Sequence, residues 1–103
     1  MRRIKRSATF VAEFQALLAQ GLPKFGLRVV AQKRDLVEDF VRTFLIEFPG
    51  IGTIDPDIGL HTYGVRHTPF VLAYDFDDAE LRLHTIFHES ADRARIDPMS
   101  VVW

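Results

Sequence analysis

The chain has 103 residues, 48% of them hydrophobic and 12% aromatic. That suits one domain with a substantial core, and it excludes an intrinsically disordered chain. Cysteine is absent, which excludes a disulfide frame, a thiolate metal site and a cysteine nucleophile, and fits a reducing cytoplasm. The formal net charge is −1, but residues 1–50 sum to +4 and residues 51–103 to −5. The second half is therefore a poor platform for a phosphate backbone, which needs clustered cations. Ordinary solvated surface charge explains the split equally well.

The opening Met1-Arg2-Arg3-Ile4-Lys5-Arg6 is basic, with no long apolar stretch behind it. Neither a signal peptide nor a spanning helix is expected. Residues 1–7 predict a short first strand, and Ser7 or Thr9 can cap the helix that follows. Phe10, Phe14, Leu17 and Leu18 lie on one helical face, and Gly21 with Pro23 is expected to end that helix. A second, longer helix is predicted from about Lys24 or Leu27 to Glu47. Val30, Val37, Phe40, Val41, Phe44 and Leu45 follow helical spacing, and Pro49-Gly50 stops it. The short connection makes the two helices an antiparallel hairpin.

Residues 51–57 read as a loop. The period then changes to two. Ile58–Arg66 reads as a strand, less regular because of Gly59 and Gly64. Phe70, Leu72, Tyr74 and Phe76 form one face of the next strand. Leu81, Leu83, Thr85 and Phe87 form one face of the last, after a turn at Asp77-Asp78-Ala79. The order β-α-α-β-β-β predicts an α+β fold, with a two-helix hairpin on a mainly antiparallel four-stranded sheet. The tail, residues 92–103, reads equally as a helical turn, an edge strand or a loose end.

Several stretches resemble one family. Ser7-Ala8-Thr9-Phe10 follows the first strand, and Phe48-Pro49-Gly50-Ile51-Gly52 is similar to a Pro-x-x-Gly corner. Thr68-Pro69-Phe70-Val71-Leu72-Ala73-Tyr74 resembles a Pro-Tyr-Val-Ile-x-Tyr strand. Leu83-His84-Thr85-Ile86-Phe87-His88 resembles an apolar strand ending in His. Together, from Ile4 to about Arg93, they resemble the RelE/ParE superfamily of toxins from toxin–antitoxin pairs. The departures are His61 near a frequent Arg, Asp75 where Arg or Lys commonly follows the strand's Tyr, and Glu89 beside the terminal His.

The resemblance implies one of two activities. A ParE-like toxin binds a protein, DNA gyrase, and is not an enzyme. A RelE-like toxin is a ribosome-dependent endoribonuclease. A non-toxic binding module of the same fold is a third possibility. Nuclease chemistry needs cations for the phosphate and an acid/base group. The candidates are His61, Tyr63, Arg66 and His88, which read more readily as strand residues pointing to solvent or satisfying hydrogen bonds. The shortage of cations favours the protein-binding reading and argues against direct nucleic-acid binding.

No metal or other cofactor is expected: His84 and His88 stand roughly 13 Å apart on one strand, beyond the reach of one ion. The long helix is apolar around much of its circumference, more than one sheet face can cover. Phe25, Val29, Val37, Val41 and Leu45 are candidates to dock a cognate antitoxin, with a broad internal contact or a homodimer as the alternative. His88, Arg93 and Trp103 are candidate target-binding residues. Trp103 reads equally as a cap on the core. A toxin–antitoxin hetero-oligomer in the cytoplasm is the expected context.

Overall fold

A computed structural model describes residues 1–103. The chain forms β1 (Arg3–Arg6), α1 (Ala8–Phe40) and a π-helical turn (Val41–Leu45). A 3-10 turn (Pro49–Ile51) leads to β2 (Thr53–Ile54), β3 (His61–Gly64), β4 (Phe70–Phe76) and β5 (Glu80–His88). Two more 3-10 turns, Arg93–Arg95 and Pro98–Ser100, make up much of the tail. No helix is long and apolar enough to cross a membrane.

Ser7 is the N-cap of α1. Its hydroxyl accepts from the Phe10 N–H at 2.8 Å and donates to the His84 carbonyl at 2.6 Å. One side chain thus starts the helix and ties it to β5. A straight helix of 33 residues would run about 50 Å, longer than the 39 Å long axis of the molecule. The helix bends instead, at Gly26, whose φ of 81° is readily open only to glycine. The fold-back brings Arg6, just before the helix, to 2.9 Å from Glu38 near its end.

The predicted pair of helices is present as two arms separated at Gly26, where the backbone leaves helical φ/ψ, and the break does not fall at Gly21 or Pro23, where it was expected. Gly21 stays helical; a Cβ there would lie 3.3 Å from Val30 Cγ2, so its lack of a side chain lets the two arms close. Pro23 removes one backbone donor, and the first arm carries on past it to the bend.

The sheet has five strands in the order β1-β5-β4-β3-β2, where a mainly antiparallel sheet of four was expected. The added strand is β2, from residues read as loop. β1 pairs parallel with β5, as the long helical crossover between them permits. The remaining pairings are antiparallel.

The expected alternation along β5 also fails, at one residue. Ala73 faces Thr85 and Tyr74 faces Leu83, so His84 is an extra residue in a bulge. After the bulge the faces exchange. Leu81, Leu83 and Ile86 join Phe70, Leu72 and Tyr74 under the helix, against Phe10, Phe14, Val37, Val41 and Leu45. Phe87 turns to the opposite face, into a small second core with Ile58, Val71 and Ala73.

Tyr74 locks the corner after the helix. Its ring is fully buried, and burial pushes the phenol pKa up. The hydroxyl donates to the Pro49 carbonyl at 2.6 Å and accepts from the Gly52 N–H at 3.1 Å. Gly52 is required there: a Cβ would stand 2.4 Å from that oxygen.

Candidate docking surface

The face of the sheet away from the helix is where a phosphate backbone would have to lie in a nuclease reading. Leu81 is in the core, so the register that pairs Lys5 with Arg82 and Arg82 with Asp75 points this row outward. Arg82 is held by Asp75 at 2.9 Å, Asp77 at 2.9 Å and Glu80 at 3.2 Å. The three carboxylates hold its pKa above the ordinary arginine value. The Arg82 hydrogen bond pulls Asp77 down to about 2. Burial raises Asp75, but hydrogen bonds from Arg82 and His84 outweigh it and leave it lowered.

Arg93 is committed as well. It meets Asp55 at 2.7 Å and lies over the Phe87 ring, and it lowers the pKa of Asp55. Ile96 packs on the second core, so the tail covers part of this face. Trp103 lies edge-on to His84 at 4.7 Å and near Lys5. Arg82 and Arg93 are neutralised in place, whereas Arg3 and Lys5, in the same outward row, have no carboxylate partner.

The four nuclease candidates do not converge. His61 stacks on Tyr74 and Phe76, with its Nδ1 3.0 Å from the Gly52 carbonyl. Tyr63 stacks flat on Phe40, 5.0 Å between centroids, packed against the main core. Arg66 is exposed beside it. His88 pairs with Phe70, whereas His61 pairs with Tyr74, four residues further along β4. The two imidazoles therefore sit at opposite ends of the strand between them, roughly 13 Å apart along its axis. No group of three His, Asp or Glu side chains is placed to ligate a metal ion.

The antitoxin candidates divide by burial. Val37, Val41 and Leu45 are at most 1% exposed, in the core against the sheet. They present no surface to a partner, which corrects the expectation for these three. The stripe they form is the one the sheet covers. Phe25, 63% exposed, and Val29 remain. Both line a cleft of about 330 Å³ between the helix bend and the end of the sheet, a volume at the low end for ligand sites. Its apolar wall includes Leu17, Leu18, Val30 and Phe70, and Lys24, Lys33 and His88 stand around it. No carboxylate lines it. Lys33 also donates to the His67 carbonyl and so ties the helix to the β3–β4 turn.

The target-binding candidates are likewise dispersed. His88 lines the cleft, exposed, with its Nδ1 accepting from the Ser90 N–H at 3.1 Å. Arg93 and Trp103 belong to the other face. Sequence reasoning missed Lys24 and Lys33. A signal for them exists: residues 14–34 contain Lys24, Arg28, Lys33 and Arg34 and no Asp or Glu. Leu17, Leu18 and Pro69 join the cleft only through the fold.

No family model matches the chain, and no curated protein matches it. Among solved structures, it is similar to a chain from the chromosomal ParDE TA system of P. aeruginosa. The TM-score is 0.71 at 18% identity, covering 85% of this chain and 96% of that one. At that identity the likeness is one of fold, and the fold is ParE-like, as the sequence resemblance implied.

Proposed function

We propose that this chain is the toxin of a toxin–antitoxin pair, that it acts by binding a protein, and that a cognate antitoxin neutralises it. The target implied by the family resemblance is DNA gyrase, and the site of action is the cytoplasm. The likeness to a chain of the ParDE TA system supports the toxin reading. The observation that carries the choice between protein and RNA is the state of Arg82 and Arg93, each bound to carboxylates at 2.9 Å or less. In-line attack on a phosphate needs free cations to stabilise developing charge, and this face offers none from these two residues. The dispersal of His61, Tyr63, Arg66 and His88 points the same way.

The test is induction of the chain in growing bacteria with labelled thymidine and labelled methionine followed together. Arrest of thymidine incorporation ahead of methionine incorporation is the expected result. Methionine incorporation failing first, with truncated mRNA, would favour the endoribonuclease and overturn the proposal. Co-expression of the product of a small adjacent gene is expected to restore growth.

A further inference from the structure

We infer that His84 is a proton-operated latch: the neutral imidazole holds Trp103 and the end of the tail against the sheet, and the imidazolium releases them. The inference does not depend on the toxin reading.

The bulge in β5 sets the ring in place, because His84 is the extra residue where Ala73 and Tyr74 change partners. The side chain is 16% exposed, and its Nε2 stands 2.8 Å from Asp75 Oδ1. An ionised carboxylate can only accept, so Nε2 carries the proton and Nδ1 keeps a bare lone pair. Nδ1 is buried and meets no partner. Trp103 closes the site, edge-on to the imidazole with ring centroids 4.7 Å apart. The residue before it is seated on α1 by two hydrogen bonds. The Thr9 N–H donates to the Val102 carbonyl at 3.2 Å, and the Val102 N–H donates to the Thr9 hydroxyl at 2.8 Å.

A buried lone pair is tolerated more readily than a buried N–H without an acceptor. In the imidazolium both nitrogens are donors, and leaving a donor of a charged ring unpaired is costly. The charged groups around the ring do not remove that cost. Asp75 on β4 attracts the imidazolium, but the same oxygen already accepts from Arg82 Nε on β5 at 2.9 Å. Asp77 and Glu80 are taken up by Arg82 as well. Lys5 on β1 lies over the Trp103 ring at 5.5 Å and adds a like charge. Glu13 on α1 accepts from the Thr85 hydroxyl. None of them accepts from Nδ1. Lifting Trp103 lets water do so while the Asp75 contact survives. Proton uptake therefore favours the open tail. Imidazole changes its charge between about pH 5 and pH 8, whereas Asp55, Asp75 and Asp77 take up protons only below 3.8.

Trp103 is the single tryptophan, so its fluorescence reports on the latch alone. An imidazolium in contact also dims an indole, so the readout is accessibility to acrylamide rather than intensity. In the full chain, accessibility is expected to rise at least about twofold from about pH 8 to about pH 5.5. His84→Phe keeps an aromatic ring that takes no proton and is expected to give the same low accessibility at both values. Circular dichroism and urea unfolding check that this variant folds. Exchange of the Val102 amide, corrected for its intrinsic pH dependence, needs no variant and is expected to quicken over the same range. Equal accessibility of Trp103 at both pH values would overturn the inference. So would an unchanged corrected exchange rate at Val102. A rise that persists in folded His84→Phe would do the same, because another group would then be the trigger.

Discussion

Changing Tyr74 to Phe deletes one oxygen and nothing else. That oxygen satisfies the Pro49 carbonyl at 2.6 Å and the Gly52 N–H at 3.1 Å, both in buried residues. Each buried backbone group left without a partner costs about 1–3 kcal/mol. Both are lost together and the corner can relax, so the expected loss is about 2–4 kcal/mol. For a domain of this size that lowers the melting temperature by roughly 10–25 °C. Urea unfolding followed by circular dichroism measures it. Gly52→Ala makes the assignment specific. Its Cβ would stand 2.4 Å from the Tyr74 oxygen and 2.8 Å from the Thr62 carbonyl. Removing the hydroxyl relieves the first clash and not the second. Tyr74→Phe is therefore expected to cost clearly less in the Gly52→Ala background than alone. A loss under about 0.5 kcal/mol for Tyr74→Phe, or strict additivity of the two changes, would refute the idea that this hydroxyl holds the corner.

Leu45→Ala should cost about 2–5 kcal/mol by opening a cavity, whereas Phe25→Ala, at 63% exposure, should stay within about 0.5 kcal/mol; urea midpoints compare them. Asp55, Asp75 and Asp77 have folded-state pKa values below the ordinary 3.8. Their stabilisation is therefore fully present above about pH 4 and is lost as pH falls toward about 2. Melting temperatures at successive pH values should show that fall, and Asp77→Asn should make it shallower. Arg93→Ala leaves the Asp55 carboxylate, 8% exposed, without its partner and frees the tail. Limited proteolysis should then cut within residues 92–103 earlier than in the unmodified chain.

Local patterns were legible wherever one residue type served one purpose. The helical spacing of Phe10, Phe14, Val37 and Val41 marks residues that do face the sheet. The Asp77-Asp78-Ala79 turn joins two strands where the period-two pattern puts them. The bend was misplaced because Gly21, Pro23 and Gly26 all carry helix-ending signals. Only packing decides among them, through the close approach of Val30 to Gly21. The bulge at His84 was invisible because alternation continues plausibly through it: Ile86 and Phe87 are both apolar, and either face could have claimed them. The parallel β1–β5 pairing depends on contacts distant in sequence, and the added strand, Thr53–Ile54, is too short to show a period of two.

At the candidate surface, a helical apolar stripe does not say which side the sheet will cover. Val37 and Phe25 therefore looked alike as docking residues, until the fold buried one and exposed the other. The acidic excess of the second half supplies the carboxylates that pair Arg82 and Arg93, but in sequence it reads only as a poor platform for phosphate.

DNA supercoiling by purified gyrase, with ribosome-bound mRNA in a parallel reaction, sets protein binding against RNA cleavage most directly. The purified chain is expected to block supercoiling, or trap cleaved DNA on the enzyme, and to leave the mRNA full length. Intact supercoiling with cleaved mRNA, abolished by His88→Ala or Arg66→Ala, would contradict it.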